Sequence, residues 1–248
     1  MKVYRENIKT IIQTQYNDPL LIHLSNKIIS HLKLAEGKQL LDIGCGVGRT
    51  SFMAALQGFD VIGVDIEKKA IDIAKTTAKK LNLENKCIFD YGDILKQKKL
   101  YNKKFDVIIC SEVIEHVLHP QKIINLAFRL LKKNGLFIIT TPHDPKLWSV
   151  LDNYADHIKR FSTGELKRLL SNFKVVNFYT IGFPFMRSVI CFYDFITRVV
   201  NIKHTSSLRK HSVKNTIYST VIGILLNFDD LFNSINKGTT IVVIAKKN

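Results

Sequence analysis

Residues 39–51, Q-L-L-D-I-G-C-G-V-G-R-T-S, constrain the fold more than any other stretch of the 248-residue chain. Leu40, Leu41 and Ile43 form an apolar run broken by one acid, Asp42, and glycines follow at alternate positions, Gly44, Gly46 and Gly48. A helix is predicted over Thr50–Gln57. Strand, tight turn and helix start in so few residues mark the opening of an α/β unit. Glycine admits backbone angles that other residues avoid and lets a ligand approach the main chain, so a nucleotide-sized ligand is expected here. Turns and close helix–strand packing also use glycine, so the triplet alone leaves both readings open.

The spacing narrows the ligand. The dinucleotide fingerprint is G-x-G-x-x-G, with a helix N-terminus facing a pyrophosphate. Here the third glycine comes one residue early, Arg49 stands where that fingerprint has glycine, and Asp42 sits badly beside a pyrophosphate. An acid at this point suits a cationic ligand. The segment resembles motif I of the class I S-adenosylmethionine-dependent methyltransferases, an acid followed by G-x-G-x-G. That ligand carries a sulfonium and an ammonium and no phosphate.

The rest of the chain follows an α/β order. Asp60–Asp65 reads as the second strand, and Asp65 lies roughly 20 residues past the turn, where an acid meets ribose hydroxyls. It could equally cap the helix predicted over Glu67–Leu81. Lys86–Tyr91 is the third strand, followed by Gly92 and Asp93; Phe105–Cys110 is the fourth, apolar on both faces as a central parallel strand must be. A helix over Ile123–Lys133 stops at Asn134-Gly135. Leu136–Thr141, Val175–Ile181 and Thr239–Ala245 complete seven strands. The fold expected is α/β: a doubly wound, mostly parallel, Rossmann-like sheet of seven strands whose last strand is antiparallel, with a helical insertion before it. The resemblance spans about Lys38–Ile181 plus the last strand. The division expected is an N-terminal helical segment (1–36), a cofactor-binding domain (37–182 and 239–248) and the insertion (183–238).

The resemblance implies the cofactor S-adenosyl-L-methionine and a set of residues to hold it: Asp42, Gly44, Cys45, Gly46, Gly48, Asp65, Ile66, Asp93, Ile94, Ser111 and Glu112. Asp93 matches the acid that bonds the adenine amino group, although Gly-Asp is also an ordinary turn pair. After strand four comes S-E-V-I-E-H-V-L-H-P, in which a helix would put Glu112, Glu115 and His116 on one face. Two carboxylates and an imidazole could bind a divalent cation. The arrangement resembles the metal sites of the quinone-precursor O-methyltransferases and of the small-RNA 2′-O-methyltransferases; the same E-x-x-E-H also occurs in class I enzymes without metal. His157, in a D-H…R-F-S…E-L stretch resembling the same two groups, could face substrate, ligate metal or hold a loop. Ser162 is expected to cap Thr163–Leu170, with Glu165 completing a capping box. His143 leaves strand five where the cleft of an open α/β sheet lies. It, Glu115 and His116 are the candidates for proton transfer.

Composition bounds the rest. The net charge of +16 suits an anionic partner, or reflects a lysine-rich solvated face. None of the four cysteines is in C-x-x-C spacing, which speaks against a disulfide framework or zinc site and fits a reduced, cytoplasmic compartment. No signal peptide is read at the N-terminus. Met1–Ala35 reads as helical, with Leu20, Leu21, Leu24, Ile28 and Leu32 on one stripe.

The insertion carries two amphipathic stretches. Polar positions in Phe185–Asn201 are Arg187, Asp194, Arg198 and Asn201; in Thr216–Ile235 they are Thr220, Gly223, Asn227, Asp230 and Ser234. Both are too short and too interrupted to span a membrane. Between them Lys203–Lys214 is basic, and no acid occurs from Phe195 to Phe228. The segment either packs as a lid or lies on a membrane surface. The function expected is O-methylation of a small apolar or isoprenoid-like acceptor. The alternatives are a metal-dependent RNA 2′-O-methyltransferase and a peripheral membrane protein with a vestigial cofactor site.

Overall fold

The computed structural model describes residues 18–199 and 216–248. Seven strands form one sheet in the order β3-β2-β1-β4-β5-β7-β6. They are β1 (Gln39–Ile43), β2 (Asp60–Asp65), β3 (Cys87–Tyr91), β4 (Phe105–Ser111), β5 (Leu131–Pro142), β6 (Lys174–Ile181) and β7 (Thr240–Lys246). β7 is antiparallel to both neighbours, as the sequence predicts, and the other pairings are parallel.

The side-chain alternation of the strands splits the core into two layers. Leu40, Val61, Phe89, Val107, Ile109 and Ile138 face one side, where α1 (Pro19–His31), α2 (Arg49–Leu56) and α3 (Lys68–Lys80) bring Leu24, Ile28, Phe52, Ile71 and Ala74. Leu41, Ile43, Ile108, Cys110, Phe137 and Ile139 face the other. There α4 (Pro120–Leu130) and α6 (Thr163–Leu169) bring Ile123, Ile124, Ala127 and Leu166. A short helix, α5 (Val150–Tyr154), lies between β5 and α6. The expected stripe of the leading helix is real for Leu24, Ile28 and Leu32; the part before residue 18 lies outside the described residues.

The sequence reading needs correction in three places. Glu112–His116 is no α-helix. Glu112 sits at φ +55° and its N–H donates to the Thr140 carbonyl at 3.1 Å, so the chain stays tied to β5. Only a 3-10 turn, Ile114–His116, follows, and the next helix waits for Pro120. The expected common helical face for Glu112, Glu115 and His116 is therefore absent. Second, α4 ends at Leu130, because Leu131 already pairs with Phe105; Asn134, at φ +61°, makes the bend that was expected to stop a helix. Third, Ser162 does accept from the Glu165 N–H at 3.2 Å, but the Glu165 carboxylate pairs with Lys159 instead of closing a capping box.

Between β6 and β7 stand α7 (Phe185–Val199) and α8 (Thr216–Asp229), followed by a 3-10 stretch, Asp230–Ile235. Asn201 and Lys203–Lys214 lie outside the described residues. Asp229, buried at the end of α8, accepts from the N–H groups of Phe185 and Met186 at 2.7 and 2.9 Å and so caps the start of α7. Asp230 pairs with Lys27 at 2.6 Å and His23 at 3.1 Å on α1. Met186, Ile222 and Leu226 form a small apolar cluster with Leu20.

Candidate active site

The strand order turns back between β1 and β4, and in an open α/β sheet the ligand crevice lies outside the carboxyl ends of the strands at that point. The glycine turn is at that end of β1. Gly44 and Cys45 donate their N–H groups to the Val64 carbonyl, at 2.8 and 3.2 Å, which folds the turn across β2. Gly44, Gly46 and Gly48 all take positive φ. A Cβ on Gly44 would meet Val113 at 2.3 Å, whereas one on Gly46 would have nothing within 4 Å. The first glycine serves packing; the second leaves open space beside the main chain, as a ligand requires.

The acids flank this turn in different ways. Asp65, at the end of β2, accepts from Gly46 N–H at 2.7 Å and Glu67 N–H at 2.8 Å. It braces the turn, and the cap of α3 is Glu67, which accepts from Lys69 N–H at 3.1 Å. Asp42 is 2% exposed and accepts from the Ser51 hydroxyl at 2.6 Å. Burial pushes its carboxyl up to about 7, against the pull of that hydrogen bond and with the negative charge of Asp65 adding to the rise. Asp42 thus lies beneath the turn. Ile66 is 74% exposed just past β2, while Cys45 and Ile94 are buried. Asp93 caps the turn Ile94–Lys96 through Leu95 N–H at 2.9 Å.

Past β4 and β5 a polar cluster gathers. Thr140 donates its hydroxyl to Glu112 at 3.1 Å, and the Ser111 hydroxyl lies 2.9 Å from Thr140. Thr141 donates to Glu115 Oε2 at 3.0 Å. Glu115 is fully buried, and its other oxygen, Oε1, has no hydrogen-bond partner. Burial, then the charge of Glu112, pushes the Glu115 carboxyl up; burial pushes Glu112 up to about 7 despite the Thr140 hydrogen bond. Neighbouring carboxylates raised this way by burial and by a nearby like charge are a common mark of a functional site.

Two imidazoles gather beside the Glu115 carboxylate. His116 Nε2 is 4.0 Å from Glu115 Oε1, and Glu115, His116 and His157 each offer a ligand atom within 4.8 Å of the others. His116 Nδ1 lies 3.2 Å from the Asp156 carbonyl, and His157 Nδ1 lies 2.9 Å from Asp152 Oδ1. Each Nδ1–H then donates to its oxygen, which leaves Nε2 as a lone-pair donor, the arrangement that metal-ligating histidines show. A set of one O and two N donors, with an orphaned buried carboxylate oxygen among them, fits a divalent cation. Glu112 stands behind this group on Thr140.

Asp152 organises the cluster. It is fully buried on α5 and accepts from His157, from Arg160 Nε at 2.8 Å and from Ser149 N–H at 2.8 Å. Burial works against its ionisation, but the His157 and Arg160 hydrogen bonds prevail and hold its carboxyl at about 2. Arg160 also donates to the His143 carbonyl at 3.0 Å. His143 itself is turned into the scaffold. Its Nδ1 is 2.9 Å from the Gly238 carbonyl and its Nε2 is 3.4 Å from the Thr163 hydroxyl, and burial lowers its pKa. Sequence reasoning missed Asp152, Thr140 and Thr141. Two hydroxyls closing the otherwise apolar L-F-I-I-T-T were the signal for the threonines.

The fold is a Rossmann-like α/β scaffold of the kind that binds nucleotide cofactors where the strand order reverses, here between β1 and β4. A profile of the methyltransferase domain matches residues 34–177. The chain belongs to this family, within the class I S-adenosylmethionine-dependent methyltransferases. It is similar to the ubiquinone biosynthesis O-methyltransferase of Histophilus somni (strain 2336), 39% identical over 128 residues, 49% of this chain and 52% of that one. It is also similar to the enzyme of the same description from Pelagibacter ubique (strain HTCC1062), 43% identical over 119 residues, 46% of each. The chain thus spans about half the length of the curated relatives it matches. Among solved structures it resembles geranyl diphosphate C-methyltransferase from Streptomyces coelicolor A3(2) in complex with Mg2+, geranyl-S-thiolodiphosphate and S-adenosyl-L-homocysteine. The TM-score is 0.62 at 16% identity, covering 91% of this chain and 75% of that one. The cyclase SpnF gives 0.62 at 17% identity, over 90% and 80%. Likeness at this identity speaks for the fold alone.

Proposed function

We propose that the chain transfers the methyl group of S-adenosylmethionine to an oxygen of a small apolar or isoprenoid-like acceptor. The observation that carries the chemistry is the convergence of Glu115, His116 and His157 beside the glycine turn's end of the sheet. The names of the relatives support oxygen as the methylated atom. Bound S-adenosylmethionine supplies an already activated methyl group, so the protein's task is to orient the acceptor, exclude water and take a proton. In this reading Gly46 and Asp65 seat the cofactor, Asp42 sets the potential under the turn, and Ile66, Asp93 and Ile94 flank its base.

The acceptor hydroxyl needs a proton acceptor near neutral pH, and an imidazole Nε2 or the raised Glu115 carboxylate meets that requirement. His143, with both nitrogens engaged, takes the lesser part. A divalent cation held by Glu115, His116 and His157 would supply a charge to bind the acceptor oxygen. An apolar acceptor of this class partitions into membranes, and peripheral contact through 183–238 belongs to the same reading.

The test is turnover of labelled S-adenosylmethionine against hydroxylated aromatic acceptors with isoprenoid tails, with and without chelator, beside structured RNA. Methylated lipid-soluble product supports the reading. Label in RNA, chelator-sensitive, would instead favour a 2′-O-methyltransferase built on the same three ligands. No turnover together with no cofactor heat would leave a vestigial site.

A further inference from the structure

Helix α7 is mounted with its polar side inward. Asp194 accepts from Val150 N–H at 2.9 Å, at the start of α5. Arg187 donates to Asp144 at 3.3 Å and to the Lys237 carbonyl at 2.9 Å. The opposite side carries Phe185, Val189, Phe192, Phe195 and Val199 at steps of three and four residues, and all are exposed, Phe192 at 67% and Phe195 at 61%. A lid closed over an apolar pocket would turn these rings the other way. Helix α8 packs Ile222 and Leu226 inward but leaves Val221, Ile224 and Phe228 exposed. The Phe185 and Phe228 rings meet with centroids 6.4 Å apart, so the two stripes are one continuous surface.

We propose that the exposed faces of α7 and α8 seat the protein on an anionic lipid surface, lying in its plane. Apolar patches of this extent on a folded chain mark interaction sites. Charge selects the occupant. The sequence has no acid from Phe195 to Phe228, carries Lys203, Arg209, Lys210 and Lys214 between the two helices, and has a net charge of +16 overall. Those four residues lie outside the described ones and enter here only as charge. A second copy of the chain would carry the same net charge of +16 and repel the first. An anionic bilayer takes the aromatic stripe into the headgroup–acyl boundary and the positive charge at its surface. Among the described residues no helix is long and apolar enough to cross a membrane, which agrees with an in-plane contact. The matched family profile ends at residue 177, so the surface is built by a part of the chain outside it.

The inference rests on the peripheral contact included in the proposed function, but its test needs neither cofactor nor acceptor. The two therefore fail separately. The full chain is sedimented with vesicles of phosphatidylcholine alone, and of phosphatidylcholine with phosphatidylglycerol in equal parts, at low and high salt. Expected is binding to the anionic vesicles that weakens on the order of tenfold or more at high salt. The double variant Phe192→Ser, Phe195→Ser should lose on the order of tenfold or more of that binding while melting at the wild-type temperature, because both rings are solvent-exposed. Absence of binding to anionic vesicles overturns the proposal, as does undiminished binding by the double variant. A dimer in sedimentation velocity that the same substitutions dissolve, with no lipid binding, would give the face to a second copy.

Discussion

At Gly46 the backbone is left-handed and the space where a Cβ would stand is open; at Gly44 that space is filled by Val113. The two substitutions should therefore part company. Gly46→Ala pays about 1 kcal/mol for the backbone alone, yet sets a methyl beside the main chain where the cofactor is proposed to lie. Its melting temperature should fall by a few degrees only, while the affinity for S-adenosylhomocysteine drops by about tenfold or more. Gly44→Ala should fail at folding instead. Unaltered calorimetric affinity in Gly46→Ala would move the ligand away from this turn. Asp42 makes a second, pH-resolved case. Burial holds its carboxyl at about 7, far above its unfolded value of 3.8. The folded chain keeps the proton that the unfolded chain gives up, so this group favours folding below pH 3.8 and that contribution is lost as pH rises to about 7. A cationic ligand over the turn would favour the ionised form and expel the proton. Affinity for S-adenosylmethionine should then climb with pH and level off above about 7. Calorimetry in buffers of different ionisation enthalpy should show proton release below that pH; heats independent of buffer would disconnect Asp42 from the ligand's charge.

Among the elements, α5 matters more than its length suggests, because Asp152 ties it to the loop bearing His157 and Arg160. Asp152→Asn keeps the shape but loses the charge that pairs with Arg160. Leaving a buried Arg without its partner costs about 3 kcal/mol, visible as a lower melting temperature. Turnover should fall further than stability alone explains, with cofactor affinity retained, because His157 keeps at most a neutral amide oxygen in place of the carboxylate that fixes its tautomer. Equal loss of turnover and cofactor affinity would reduce Asp152 to a scaffold. The sign with pH follows from its depressed carboxyl: the stabilisation stands above pH 3.8 and is lost as pH falls through about 2. The strands, the glycine turn and most helices were legible in the sequence because apolar alternation and glycine spacing are local signals. The site was only partly so. Glu115, His116 and His157 could all be named, but not that they meet: His157 arrives from the loop after α5, which reaches the turn after β4 through tertiary contacts such as Ile158 N–H donating to the Glu115 carbonyl at 2.8 Å, and no local pattern encodes these. The helix expected at Glu112 failed for the same reason: a tertiary hydrogen bond to Thr140 overrides a helical spacing. On α7 the amphipathic pattern was plain, while which side faces the body was not, because Asp194 and Arg187 find partners only in the folded chain.

At the scale of the molecule, β6 and β7 already meet where the insertion leaves and returns. Ile181 pairs with Thr240, and Thr239 N–H donates to the Ile181 carbonyl at 2.7 Å. Strands in that register can be joined by a two-residue turn. A chain in which Asn-Gly replaces residues 183–238 should therefore keep its sheet, since β7 retains both neighbours and the two core layers hardly draw on the insertion. What it loses is specific. Leu20 loses the cluster of Met186, Ile222 and Leu226, and Lys27 and His23 lose Asp230. The start of α5 loses Asp194 and His143 loses the Gly238 carbonyl. Removal of the buried apolar cluster exposes its face on α1, which should lower stability by about 2–4 kcal/mol, read from urea unfolding. S-adenosylhomocysteine should still bind, because the hydrogen bonds that brace the turn, Gly46 to Asp65, Ser51 to Asp42 and Glu67 to Asp65, all lie outside the deleted segment. Acceptor methylation and vesicle binding should both disappear. If the shortened chain methylates its acceptor at the full rate, the insertion serves only the membrane surface; if it no longer binds cofactor, the cleft depends on the insertion in a way its contacts do not express.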